Sequence, residues 1–138
     1  MKYLLDTNIW VWMVESQQSI PRKIMSFLLE PDNYPFHISA ISVWEVAKKV
    51  SIGKLTLSIP VRDWLVRATR KPFIEIIPLS VDIALESTIL PGVFHKDPAD
   101  QIIVASARQC NMTLLTTDQL IIAYQHVKTC NYSAGASV

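Results

Sequence analysis

The chain begins with an apolar run, Tyr3-Leu4-Leu5, that stops at a carboxylate, Asp6. The run has no polar alternation, which suits a strand buried on both faces of a parallel sheet. Thr7 or Asn8 can cap the helix that follows over 9–15, through Ile9, Trp10, Trp12 and Met13, and Asp6 is a further capping candidate. Ser16-Gln17-Gln18-Ser19 is a polar break. Ser19 is placed to cap a second helix with Pro21 in its first turn, and Ile24, Phe27 and Leu28 fall at i, i+3 and i+4 on one face of it. Residues 30–35 are a turn cluster.

Phe36-His37-Ile38 predicts a second strand. Ser39-Ala40-Ile41-Ser42 leads into a helix through Val43, Trp44, Val46, Ala47 and Val50 that ends near Gly53. Leu55, Leu57 and Ile59 alternate as extended chain does. Pro60 opens a helix through Trp64, Leu65 and Ala68, and Pro72 stops it. Phe73-Ile74-Glu75-Ile76-Ile77 predicts a third strand closed by Pro78, and Ser80 caps a helix through Ile83, Ala84 and Ser87. Leu90-Pro91-Gly92 is a loop. A helix of small and branched residues follows over 101–110, with Asn111 as its stop. Met112-Thr113-Leu114-Leu115-Thr116 predicts a fourth strand, Thr117-Asp118 opens a short helix toward Tyr124, and Val127-Lys128-Thr129 is a candidate edge strand. Residues 131–138 are small and polar and read as a flexible tail, which leaves 1–130 as the domain. Strands alternate with helices throughout. The class is therefore α/β, with a mainly parallel central sheet flanked by helices, and right-handed crossovers put the strand-to-helix junctions on one edge.

Composition narrows this picture. The 138 residues are 50% hydrophobic, enough for one domain with a sizeable core. The 13 basic and 12 acidic residues give a net charge of +1, so no strong basic footprint for nucleic acid is present, although a local patch would be compatible. Cys110 and Cys130 lack metal-ligand spacing and suit a reducing cytoplasm. His37, His95 and His126 do not form a zinc motif. Asp6 interrupts the N-terminal apolar run too early for a signal peptide, and no apolar stretch is long enough for a membrane span. The expectation is a soluble, cytoplasmic protein with no membrane association.

Four acids from separate segments fall near strand-to-helix junctions: Asp6, Glu45, Asp100 and Asp118. Each has a local explanation. Ser42-Val43-Trp44-Glu45 fits a capping box, Asp97-Pro98-Ala99-Asp100 fits an N-cap, a proline at the first helical position and an acid facing the helix dipole, and Asp118 and Asp6 can be N-caps. Capping, however, needs no convergence on one edge and accepts Ser, Thr or Asn equally. Two carboxylates about 4 Å apart repel by about 4 kcal/mol at an effective dielectric near 20, so several together call for a cation. Hard oxygen ligands without Cys or His point to Mg2+ or Mn2+, and such a site supports attack of water on a phosphodiester.

With these residues in view, the chain resembles the PIN-domain ribonucleases and, within them, the VapC-type toxins of bacterial toxin–antitoxin pairs. The resemblance rests on Leu4-Leu5-Asp6-Thr7-Asn8, Ser39-Ala40-Ile41-Ser42-Val43-Trp44-Glu45, the stretch from His95 through Asp97-Pro98-Ala99-Asp100-Gln101 to Ala105, and Leu114-Leu115-Thr116-Thr117-Asp118, in the family's order and spacing. It implies that Asp6, Glu45, Asp100 and Asp118 are the catalytic, metal-binding acids. It implies that Asp97 matches an extra acid of a subgroup, with a direct or water-mediated metal role or a plain N-cap role. Thr7, Asn8 and Thr116 lie beside the acids, where they would orient carboxylates or water; a turn or cap role is the alternative. The family further implies RNA as substrate, products with 5′-phosphate and 3′-hydroxyl ends, a cognate antitoxin that covers the groove, and a homodimer. Two positions depart from the subgroup: Ala99 replaces a bulky apolar residue, and Gln101 replaces an arginine, which removes a positive charge near the acids.

Other residues carry weaker signals. His95 could protonate a leaving group or touch RNA, and a lone loop histidine more often does neither. Lys48, Lys49 and Lys54 could meet phosphate, or form a solvated helix face. Trp12 or Trp44 could stack on a base, although core or partner contact better suits four tryptophans in so short a chain. Two alternatives to the nuclease remain. One is a non-catalytic PIN-fold module that binds RNA or protein. The other is a phosphotransfer α/β domain, disfavoured because Asp6 is followed by Thr7 and Asn8 rather than by the Asp-x-Asp pair.

Overall fold

In the computed structural model, which describes residues 1–130, the first apolar run forms strand β1 (Tyr3–Leu5) with all three residues buried. Successive side chains of a strand point to opposite faces, and this splits the core in two. Tyr3 and Leu5 face one side with Ile9 and Trp10 of α1 (Thr7–Glu15), Ile24 and Leu28 of α2 (Arg22–Leu28), Val46 of α3 (Ala40–Ser51) and Trp64 of α4 (Val61–Thr69). Leu4 faces the other side with Ile83 of α5 (Val81–Thr88), Ile103 and Val104 of α6 (Pro98–Gln109) and Ile121 of α7 (Gln119–Ile122). The lack of polar alternation in β1 thus has its physical cause in helices on both faces of the sheet.

β2 (Phe36–Ser39), β3 (Ile74–Ile77) and β4 (Thr113–Leu115) complete a four-stranded sheet of order β3-β2-β1-β4, with every neighbouring pair parallel. Leu5 pairs with Ile38 on one side and with Leu115 on the other. The next residues, Asp6, Ser39 and Thr116, therefore stand side by side at the carboxyl edge. The Asp6 N–H donates to the Leu115 carbonyl at 3.0 Å and holds this alignment.

Several local expectations hold. Ser80 caps α5 by accepting the Ile83 N–H at 3.1 Å. Asn111 ends α6 in the left-handed region (φ 53°), and the Met112 N–H closes back on the Ala107 carbonyl at 2.9 Å. At the C-terminus of α1, Glu15 accepts the Ser58 N–H at 3.0 Å, the Ser58 hydroxyl at 2.8 Å and Trp64 Nε1 at 2.9 Å. This carboxylate ties the segment holding Leu55, Leu57 and Ile59 to the first core face. The three residues pack there, but they form no strand, and the chain bends at Ser58 and Ile59 rather than continuing the expected extended alternation.

Others are corrected. Neither Thr7 nor Asn8 caps α1; Asp6 does. The capping box at Ser42 and Glu45 does not form, because α3 starts directly from β2. Ser39 is its cap, accepting the Ile41 N–H at 3.1 Å, and Ser42 and Glu45 lie inside the helix. Ser19 does not cap α2. It sits in a 3₁₀ turn (Gln17–Ser19) with its hydroxyl 2.8 Å from that of Ser16, and Pro21 takes the cap position without a side-chain bond. Buried Ile20 between them fixes the chain path. The expected edge strand at 127–129 shrinks to one bridge, Leu114 to Thr129. Just before it, Arg108 Nη1 ties the His126 carbonyl to α6 at 2.6 Å. The expected tail, 131–138, lies outside the described residues. Among the described residues no helix is long and apolar enough to cross a membrane.

Candidate active site

Asp6 ends the central strand and is 7% exposed. Its Oδ1 accepts the Thr7 N–H at 2.8 Å and its Oδ2 accepts the Thr116 hydroxyl at 2.6 Å. Thr116, the first residue past β4, also accepts the Asp118 N–H at 3.0 Å. Asp118 then caps α7, with Oδ1 accepting the Leu120 and Ile121 N–H groups at 2.8 and 3.3 Å. Asp97 caps α6 in the same manner, accepting from Ala99 at 2.9 Å and Asp100 at 3.2 Å, with Pro98 at the first helical position. Asp100 follows in the first turn. Glu45 arrives from α3, and its Oε1 accepts the Thr7 hydroxyl at 2.5 Å. Ser42 Oγ, buried one turn earlier on α3, lies 2.7 Å from the same Thr7 oxygen.

The five acids Asp6, Glu45, Asp97, Asp100 and Asp118 line one cleft of about 160 Å³, together with Thr7, Asn8 and Lys49. Every acid singled out in the sequence is there, and Thr116 lies buried beside them. For Asp6, Asp97 and Asp118, capping and convergence are not rivals: Oδ1 serves the helix start, and the cap holds the carboxylate at the cleft. Glu45 is the exception, since its place depends on the Thr7 hydroxyl across the α1–α3 contact rather than on its own helix start.

Burial raises the Asp100 carboxyl to about 7, and the charges of Asp6, Asp97, Asp118 and Glu45 add to the shift. Burial also raises Asp6. The hydrogen bonds from Thr116 and Thr7 oppose that shift, while Glu45 and Asp118 add to it. Partly buried, mutually repelling carboxylates favour whatever neutralises them, a proton or a cation.

The donors lining the cleft are hard oxygens, and in kind they fit a divalent cation such as Mg2+ or Mn2+. Among the described residues no three His, Cys, Asp or Glu side chains are already gathered as a ligand group. A bound cation would complete its shell with water or substrate oxygens, as magnesium commonly does.

The departures from the subgroup have structural counterparts. Gln101 Nε2 donates to the His95 carbonyl at 3.1 Å. His95 Nε2 lies 3.1 Å from Asp100 Oδ2, without the alignment of a hydrogen bond, and Nδ1 lies 3.5 Å from the Asp97 N–H. Gln101 therefore fastens the loop that carries His95 instead of bringing charge to the acids. Ala99 is buried in the first turn of α6.

Lys49 lines the cleft, and the sequence named it only as one of three lysines. The usable signal was its spacing, since Glu45 and Lys49 are an i, i+4 pair on one helix face (Nζ to Oε2 3.7 Å). Trp10 and Trp64 are core residues in edge-to-face contact at 5.1 Å, whereas Trp44 is exposed.

Ribonuclease VapC22 of Mycobacterium tuberculosis is 26% identical over 123 residues, spanning 89% of this chain and 92% of the relative. The fold resembles VapBC2 of Rickettsia felis, solved bound to a DNA fragment from its promoter, with a TM-score of 0.69, 22% identity, and 94% and 97% of the two chains covered. It also resembles a toxin-antitoxin complex from Klebsiella pneumoniae, with a TM-score of 0.63, 22% identity and coverage of 91% and 95%. The PIN domain model matches residues 3–126, which spans both core faces and every acid of the cleft, and the chain belongs to the PIN-domain family.

Proposed function

We propose that this protein is a Mg2+- or Mn2+-dependent endoribonuclease and the toxin of a toxin–antitoxin pair. The observation that carries the reading is the convergence of Asp6, Glu45, Asp100 and Asp118, from four separate segments, on one cleft at the carboxyl edge of a parallel sheet. Open α/β sheets bind their ligands at that edge. Family membership and a ribonuclease among the relatives support the same chemistry.

Asp6, Glu45, Asp100 and Asp118 would hold the cation, with Asp97 contributing directly or through water. When bound, the cation supplies the charge that makes water a stronger nucleophile and offsets negative charge on the phosphate. The chain's own part is positional. Thr116 fixes the Asp6 carboxylate, Thr7 fixes Glu45, and the caps at Asp97 and Asp118 hold two further acids at the rim. Hydrolysis of an RNA phosphodiester would leave 5′-phosphate and 3′-hydroxyl ends, as the family resemblance implies. The same reading includes a homodimer in the cytoplasm and a cognate antitoxin. The antitoxin is supported by the fold's likeness to the Klebsiella pneumoniae toxin-antitoxin complex.

The test is thermal unfolding in EDTA, Mg2+ and Mn2+ for wild type and Asp100→Asn, followed by incubation with a panel of structured RNAs. The expected result is a midpoint raised by millimolar Mn2+ in wild type only, with cleavage in Mn2+ and none in EDTA. RNA binding without cleavage in Mn2+ would instead identify a non-catalytic module, and covalent phosphoryl capture on Asp6 a phosphotransfer domain.

A further inference from the structure

We propose that Lys49 is the substrate-positioning cation of the cleft and grips a phosphate oxygen of the RNA backbone beside the acids. This inference rests on the nuclease reading above. Four observations carry it.

First, Lys49 is the one basic side chain, among the described residues, that lines the cleft, facing five carboxylates. A polyanion approaching five acids is repelled unless a positive group receives it. Second, the ammonium is not locked to its neighbour. Its Nζ lies 3.7 Å from Glu45 Oε2, beyond the ~2.7–2.9 Å of a charge-assisted hydrogen bond, so its three donors remain available to another oxygen. The lysine side chain is 39% exposed while that of Glu45 is 14% exposed, which places the cation nearer the mouth and the acid deeper.

Third, its backbone is held. The Lys54 N–H closes on the Lys49 carbonyl at 2.8 Å across Gly53, whose φ of 75° ends α3 one turn later. Lys49 is thus anchored on the last turn of the helix that also carries Glu45. Fourth, Gln101, the residue after Asp100, brings no charge to the acids, because it is neutral and its amide serves the His95 carbonyl. Lys48 and Lys54 are not among the residues lining the cleft. A flexible ammonium suits this task, since it meets a phosphate as a point charge without requiring a fixed fork geometry.

The test compares wild type, Lys49→Gln and Lys49→Arg in Mn2+, with two readouts. Steady-state cleavage of an RNA from the panel should show KM raised about tenfold in Lys49→Gln, kcat within about twofold, and recovery in Lys49→Arg. Fluorescence anisotropy with a mixed-sequence single-stranded RNA, in the cleavage-deficient Asp6→Asn background, should show the salt dependence of log Kd reduced by roughly 0.7, the contribution of one phosphate. The Mn2+-induced rise in thermal midpoint should persist in Lys49→Gln.

Unchanged KM and salt slope in Lys49→Gln would overturn the proposal. So would a shifted Mn2+ midpoint with unchanged KM, which would make Lys49 a partner of Glu45 only. If wild type binds RNA without cutting it, the nuclease reading fails while the salt slope still decides for or against Lys49. If it neither binds nor cuts, both fall.

Discussion

Thr116 donates its hydroxyl to Asp6 Oδ2 at 2.6 Å and accepts the Asp118 N–H on the same oxygen at 3.0 Å. One buried hydroxyl therefore links two acids that lie far apart in the chain. Thr116→Val keeps the shape but leaves a carboxylate oxygen and a backbone N–H without their partner. We expect a loss of about 1–3 kcal/mol in urea unfolding and at least a tenfold loss of RNA cleavage. Thr116→Ser should restore both.

Asp100 carries a pH signature. Its carboxyl is raised from 3.8 to about 7 in the folded state, chiefly by burial and then by Asp6, Asp97, Asp118 and Glu45. Between these values the folded protein holds a proton that the unfolded chain has released. Stability then falls as pH rises, with the loss beginning near pH 4 and complete above about 7. In EDTA, thermal midpoints should decline across that window for wild type, and the decline should be shallower for Asp100→Asn. The variant should be the more stable above pH 7 and close to wild type near pH 4. Equal slopes for the two proteins would refute the assignment.

Asp6→Asn separates charge from capping. The amide retains an Oδ1 that can accept the Thr7 N–H, and it removes a buried charge facing Glu45 and Asp118. Cleavage should fall to background. The metal-free protein should unfold at the same midpoint as wild type or a few degrees higher, and a marked drop would show that the carboxylate is needed as a cap.

Gln101 serves the loop and not the charge balance. Gln101→Ala should cost about 0.5–1.5 kcal/mol, since it deletes the bond to the His95 carbonyl at 3.1 Å. Gln101→Arg should not reduce cleavage, because a guanidinium can make the same donation. Denaturant titration and initial rates on one RNA check both, and a large loss in Gln101→Arg would mean that the loop geometry excludes the family's usual residue.

Glu15 offers a contrast remote from the cleft. Its carboxylate holds Ser58 and Trp64 through three bonds. Glu15→Ala should lower stability by about 2 kcal/mol, because it leaves Trp64 Nε1 in the core without an acceptor. The Mn2+ midpoint shift should survive in this variant, which calorimetry with and without metal would show.

The amino-acid sequence by itself determined whatever depends on near neighbours. The apolar run at β1, the caps at Asp97 and Ser80 and the stop at Asn111 are decided within a few residues, by side-chain periodicity and by bonds to adjacent N–H groups. Asp6, Asp100 and Asp118 could be named because they flank such junctions, and all four acids because the family pattern repeats them in order. The same local logic misled at Ser42 and Glu45. A capping box fits their spacing, but α3 is already capped at Ser39, and pairing of β2 with its neighbours β1 and β3 sets where the strand ends.

Tertiary structure alone decided the site's working geometry. Thr116 meets Asp6 across 110 residues and Thr7 meets Glu45 across 38. Both contacts follow from the parallel register of Leu5 with Ile38 and with Leu115, which sets three strand ends at one level. No periodicity within a segment encodes that level, because it is fixed by hydrogen bonds between strands and by the packing of two helical layers on the sheet. The raised carboxyl of Asp100 and the cleft position of Lys49 are consequences of that assembly, since burial and mutual charge exist only once the segments meet.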